Sequence, residues 1–231
     1  MSTFKVLGKN IENIKNKKVV IVGVGGLGCT VANLLARLNV QLIIVDNDIV
    51  DDTNLERQIL YDKNDLLKYK VNAAKDKLSQ FTDIKSINEE LTSKNIKNII
   101  LKDIDLVIDC TDNIKTRLLI NDFCKNNNIN WIYSGAVSNI GAMYFIDNKN
   151  NGPCYNCIQQ NKDGETSCEI GVLSSVVVMV ASMTVNVAIN YLANGEVERD
   201  LIRINMKDNS IMKINVKKNK ECFVCSKKNY L

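Results

Sequence analysis

KKVVIVGVGGLGCTVANLLARLNVQLIIVDND, Lys17 to Asp48, packs four structural signals into thirty-two residues. Lys18–Val22 is a short apolar run of the kind buried on both faces of a parallel sheet. A glycine-rich turn follows, and the spacing of apolar residues over Leu27–Leu38 predicts a helix. Leu42–Val45 repeats the strand pattern and ends at Asp46. Gly23, Gly25 and Gly28 fit G-x-G-x-x-G. In such a turn the backbone can approach phosphate oxygens, while the helix behind it offers unpaired N–H groups to their charge. Asp46 stands where a carboxylate accepts hydrogen bonds from ribose hydroxyls. The pattern fits a dinucleotide enzyme that moves hydride, an ATP enzyme that activates a carboxylate, or a tight turn with no ligand.

Beyond this unit the chain goes on alternating. A short helix is expected over Asn54–Tyr61, an amphipathic one over Tyr69–Gln80, a strand over Ile84–Asn88 and part of a helix over Ile96–Leu101. Leu106–Asp109 reads as another buried strand, about Lys115 to Lys125 as a helix, and NWIYSGAV as a strand. After Gly135 the grammar changes: GAMYFID reads as an antiparallel strand, and Leu201–Met206 with Ile211–Val216 as a hairpin. The expected fold class is α/β, a Rossmann-like, doubly wound mixed sheet with antiparallel strands added on its C-terminal side. A single proline and no low-complexity linker argue for one domain over residues 1–231. Within it, residues 1–17 form an N-terminal segment, 18–136 a nucleotide-binding half, and 137–231 the antiparallel part.

Composition narrows the chemistry. A net charge of +4 with interspersed signs, and no basic stripe, argues against a nucleic-acid partner. Gly171–Gly195 is apolar and nearly long enough to span a bilayer, but Ser174, Ser175, Ser182, Thr184, Asn186 and Asn190 spread polar groups along it. A buried helix, no membrane and a cytoplasmic location are expected, since the N-terminus has no signal-peptide core. Histidine is absent, which excludes Ser-His-Asp triads, Cys-His pairs and His-metal sites.

Past Asp46 comes NDIVDDTNLERQILYDKNDLLKYK. Arg57 and Lys70 are spaced so that a guanidinium fork and a point charge could converge on a triphosphate. In DCTDN, Asp112 and Asn113 lie just past a strand's C-terminal end, where ligands sit in open α/β sheets. A carboxylate there could hold Mg²⁺ against phosphate oxygens.

GVGGLG, DNDIVDDTNLERQ, the lysine of KYKVNAAKDKL, DCTDN, GPCYNC, GVL and CFVC occur in this order along nearly the whole chain. Together they resemble the compact ThiF/MoeB/HesA branch of the ubiquitin-activating enzyme superfamily. The resemblance implies that Gly26 and neighbouring amides line a phosphate path and that Asp46 holds the ribose. Thr53, Asn54, Arg57 and Gln58 would lie along the nucleotide, Lys70 would meet phosphate, and Asp112 would be the Mg²⁺-linked carboxylate. It implies ATP-dependent adenylation of the C-terminal glycine of a small ubiquitin-like sulfur carrier ending in Gly-Gly, with a sulfur donor protein and a homodimer. The residue-level alternatives are ordinary: Asp112 could cap the following helix, and Arg57 and Lys70 could be solvated surface charges.

Cys154 and Cys157 in PCYNC, with Cys222 and Cys225 in ECFVC, form two C-x-x-C turns whose four sulfurs suit a tetrahedral structural zinc site. A redox C-x-x-C is the alternative. Cys29, Cys110 and Cys124 lie in expected strand or helix and read as buried residues. Cys168 differs: it occupies a polar loop before a helix, where a thiol can be nucleophilic. Some relatives use a loop cysteine covalently and others do not. Here only Glu169 and Ile170 separate Cys168 from the glycine, where relatives have three residues. Residues 1–17 also lack the Arg-rich stretch by which relatives reach a neighbouring subunit's ATP site, leaving Lys5 or Lys9 as substitutes. Three rival functions follow: an NAD-dependent oxidoreductase, a degenerate scaffold that binds a ubiquitin-like protein, and an enzyme that adenylates a peptide.

Overall fold

A computed structural model describes residues 2–15, 17–159 and 170–226. Eight strands form one sheet in the order β3-β2-β1-β4-β5-β6-β7-β8. They are β1 (Lys18–Val22), β2 (Gln41–Val45), β3 (Ile84–Ile87), β4 (Leu106–Asp109), β5 (Trp131–Val137), β6 (Ile140–Ile146), β7 (Asp200–Asn205) and β8 (Ser210–Asn215). Strands β1 to β5 pair in parallel, and β6, β7 and β8 are added antiparallel. The sheet is therefore mixed, as expected, and the change of grammar falls after β5.

The helices are α1 (Ser2–Leu7), α2 (Ile11–Ile14), α3 (Gly26–Ala36), α4 (Lys70–Leu78), α5 (Ile96–Ile99), α6 (Ile114–Asn126), α7 (Tyr155–Ile158), α8 (Ser174–Asn194) and α9 (Phe223–Ser226). Because successive strand residues face opposite sides, Val19 and Ile21 enter one core with α3, α4 and α8. Val20 and Val22 enter a second core with α5 and α6. Both faces of the parallel strands are covered, which is why those strands are apolar throughout.

Helix α8 is long and apolar enough to cross a membrane by length and composition, yet more than half of its most apolar window is buried. Val176, Val180, Ala181 and Ala188 are fully buried in the core shared with α3, β5 and β6. It is the core helix of the first face, and Gly195 ends it in the left-handed region at φ +73°.

One expected element is absent. Asn54–Tyr61 is not a helix but a single 3₁₀ turn, Asp52–Asn54, followed by further turns. Side chains replace the regular ladder: Asp51 accepts the Thr53 N–H, Gln58 donates to Asn54, and the Tyr61 hydroxyl donates to the carbonyl of Val24 at 2.8 Å. The segment is thereby fastened to the glycine turn.

Candidate active site

The glycine turn, the C-terminal ends of β1, β2 and β4, and the 54–58 segment enclose a cleft of about 1010 Å³. That is the size of a nucleotide pocket with room for a second group. Gly23, Gly25, Gly26, Asp46, Asn54, Arg57, Gln58, Lys70, Asp112 and Asn113 all line it. The cleft continues along β5 and β6 past Gly135 and Ala142 to Leu201 and Arg203 of β7.

Gly25 is the N-cap of α3 and carries no side chain to accept the first amides, so the helix presents uncapped N–H groups to the cleft. Gly23 takes φ +84°, which an L side chain rarely adopts. Gly28 has a different task from the one expected. It does not line the cleft; a Cβ there would lie 1.9 Å from the Gly23 carbonyl oxygen, so its bare backbone lets α3 pack against the turn. Thr53 is also off the cleft wall, its hydroxyl and N–H both held by Asp51.

Asp46 accepts from the Val24 N–H at 2.7 Å and the Asp48 N–H at 2.8 Å, so it shapes the turn as well as facing the cleft. Burial raises its pKa above the usual carboxylate value, against the opposing pull of the Val24 N–H and Lys70. Lys70 is buried, with its ammonium 2.8 Å from Asp48. Arg57 donates to the Thr53 carbonyl and to Glu56, both at 3.1 Å, and lines the cleft half-buried. Lys70 is therefore not the solvated surface charge of the ordinary reading, while Arg57 lies beside an exposed Glu56. Gln58 is buried, and its Oε1 has no partner among the described residues. A buried amide oxygen on a cleft wall invites a ligand donor.

Asp112 is exposed at the cleft. The residue that caps α6 is Asn113, whose Oδ1 accepts from the N–H groups of Lys115 at 2.9 Å and Thr116 at 3.2 Å. Beneath them lies a group that pattern reading missed: Asp109, fully buried, bonded to Arg117 at 2.7 Å. Burial alone would lower the guanidinium's pKa, but Asp109 beside it holds it above the ordinary arginine value. Asp48, inside the DNDIVDDTNLERQ motif but given no role there, also lines the cleft, as do Tyr133 and Arg203, which no motif announces.

The four cysteines converge. Cys154, Cys157, Cys222 and Cys225 place their sulfurs within 4.8 Å of one another, with neighbouring pairs at 3.6 to 3.9 Å. Tetrahedral ligation at the usual Zn–S length requires sulfurs about 3.8 Å apart, so the donor set fits zinc. Four convergent sulfurs suit a metal better than a two-cysteine redox pair. The thiols of Cys29, Cys110 and Cys124 are all raised by burial, as befits core residues. Cys168 lies outside the described residues. Lys5 and Lys9 do not line the cleft of their own chain.

Known proteins match most of this chain. The adenylyltransferase and sulfurtransferase UBA4 of Saccharomyces cerevisiae is 34% identical over 178 residues, 74% of this chain and 40% of that protein. The matched region thus spans about two fifths of the length of such relatives. The molybdopterin-synthase adenylyltransferase of Salmonella typhimurium is 31% identical over 189 residues, 79% of this chain and 76% of that protein. Among solved structures, E. coli MccB with ATP superimposes with a TM-score of 0.82 at 23% identity, over 96% of this chain and 70% of that one, a likeness of fold. The profile described as the ThiF family matches residues 2–224, and with it the chain belongs to the ThiF family.

Proposed function

We propose that this protein uses ATP to adenylate the C-terminal glycine of a small ubiquitin-like sulfur-carrier protein. One observation carries the reading: a single cleft gathers the uncapped start of α3, the cations Arg57 and Lys70, and the Asp112 carboxylate. The names of the Salmonella and yeast relatives support adenylation, and the first of them supports a carrier of the molybdopterin-synthase kind.

In the proposed reaction the carrier's terminal carboxylate attacks the α-phosphate in line. A carboxylate–phosphorus bond forms, the bond from the α-phosphorus to the bridging oxygen breaks, and pyrophosphate leaves with that electron pair. The nucleophile is ionised at neutral pH, so no base need remove a proton, which suits a chain without histidine. The α3 amides and Lys70 would hold the phosphates, Arg57 would neutralise charge on the leaving group, and Asp46 would fix the ribose. Mg²⁺ held by Asp112 would neutralise phosphate charge. The arm of the cleft along β5 and β6 leaves space for an extended glycine tail. Sulfur delivery, directly to the acyl-adenylate or through Cys168, would follow. Zinc on the four cysteines would pin the C-terminal segment to the α7 turn and take no part in the chemistry.

A homodimer belongs to this reading, with exposed Ile170 and Leu173 before α8 at the interface; a mass of one chain by light scattering would remove it. An NAD-dependent hydride transfer would leave Arg57 and Lys70 without a task. Calorimetric titration separates these readings: ATP with Mg²⁺ should bind and NAD should not, whereas tight NAD binding would overturn the proposal. Mass spectrometry should then find the carrier heavier by one AMP.

A further inference from the structure

Arg117 lies in the first turns of α6 on the cleft wall, and the adenylation chemistry assigns it no contact with substrate. A buried guanidinium is costly to desolvate and persists only where its donors are met. Its partners are specific. Nε donates to Asp109 Oδ2 at 2.7 Å, and Nη2 donates to the carbonyl of Thr111. Asp109 Oδ1 accepts from the Thr111 N–H at 3.0 Å and from its hydroxyl at 2.7 Å. The ion pair therefore grips Thr111 by both backbone polar groups. On the other side of Asp112, Asn113 is fixed by its capping bonds. Asp112 stands between two anchored neighbours.

The far side of the guanidinium is also held. Its carbon lies 4.5 Å from the centre of the Tyr133 ring and 5.6 Å from that of Tyr155, and Nη1 donates to the Tyr155 hydroxyl at 3.4 Å. Tyr155 sits between Cys154 and Cys157, and its own N–H donates to the buried Asn121 of α6 at 2.9 Å.

We infer that Arg117 is a positioning residue: it locks the turn that carries Asp112 and, through Tyr155, braces that turn against the four-cysteine cluster. The task of Asp112 rests on the adenylation reading; the clamp itself does not. An ion pair that served stability alone would loosen the whole sheet when cut. A clamp loosens one turn and shifts the metal dependence of nucleotide binding.

Two variants test this. Arg117→Lys keeps a charge and loses the fork, while Tyr155→Phe keeps the ring and loses only the hydroxyl contact. Without nucleotide, hydrogen exchange of the Thr111 amide in Arg117→Lys should quicken on the order of tenfold, while the Cys110 amide, bonded to Val22, changes by less than about threefold. The Mg²⁺ concentration needed for tight ATP binding should rise about tenfold, with metal-free ATP affinity within about threefold of the parent. Tyr155→Phe should move both readouts the same way by a smaller factor. Unchanged Thr111 exchange, or equal quickening at Cys110, overturns the inference. If Arg117→Lys fails to fold, Tyr155→Phe decides: faster Thr111 exchange supports the clamp and unchanged exchange overturns it. A parent protein that binds no ATP ends the adenylation reading, while the exchange data still decide the clamp.

Discussion

Alanine at Gly28 and alanine at Gly25 should fail in opposite ways. At Gly28 the new Cβ would lie 1.9 Å from the Gly23 carbonyl oxygen and 2.9 Å from its carbon. An ordinary carbon–oxygen contact is about 3.3 Å, so the overlap is roughly 1.4 Å. The obstacle is backbone, and relief requires α3 to move off the end of β1. Overpacking of this kind costs about 1–3 kcal/mol, and a rigid carbonyl places Gly28→Ala toward the upper end. For a chain of this length each kcal/mol lowers Tm by about 2–4 °C, so a fall of roughly 4–12 °C is expected by calorimetry. At Gly25 the added Cβ meets only Gln58 Nε2, at 3.8 Å, an ordinary contact. Gly25→Ala should therefore stay within about 1 kcal/mol of the parent. Its methyl group nonetheless enters the phosphate approach, and ATP affinity by titration calorimetry should fall at least about tenfold. A Gly28→Ala protein with the parental Tm, or a Gly25→Ala protein with the parental ATP affinity, would refute the division of labour between the two glycines.

Other consequences follow from the same cleft. Lys70→Met keeps the hydrocarbon stem and leaves Asp48 63% exposed, so stability should change by less than about 1 kcal/mol. ATP affinity should nevertheless drop on the order of 10- to 100-fold, and a smaller loss by titration would take Lys70 off the phosphates. Because burial raises the Asp46 pKa, its charge is lost at a higher pH than an ordinary aspartate's as the medium is acidified. The advantage of the parent over Asp46→Asn in ATP affinity should therefore shrink from neutral pH toward the mildly acid range above 3.8, the ordinary aspartate value. The ligand's own titration cancels in that ratio, and a ratio flat with pH would contradict the assignment. Purified protein should contain zinc by elemental analysis, and Cys225→Ser should lose it and melt at least about 5 °C lower. Equal Tm for the two proteins would mean the cysteines do not brace the chain.

The parallel strands were legible because burial on both faces leaves an unbroken apolar run, as in Val19–Val22 and Leu106–Ile108. The cysteine turns were legible because C-x-x-C spacing sets two sulfurs on one side whatever the surrounding fold. Asn54–Tyr61 was not, since its backbone closes separate turns in place of a continuous helical ladder. The Gln58 side chain bonds Asn54 and the Tyr61 hydroxyl bonds the Val24 carbonyl. Gly28 fits the phosphate motif by position, yet its cause is helix packing, which only the path of the backbone reveals. Arg117 and Asp109 were hidden for another reason. An arginine early in an amphipathic helix reads as a surface charge, and its partner stands eight residues back at a strand end. Only the turn between them brings the pair together.

The most direct test of adenylation is ATP–pyrophosphate exchange with Mg²⁺ and a ubiquitin-like carrier ending in Gly-Gly, run beside Asp112→Ala. The account predicts exchange that requires the carrier and falls to background in the variant. No exchange with any carrier of the thiamine or molybdopterin type, in a protein that binds ATP, would contradict it.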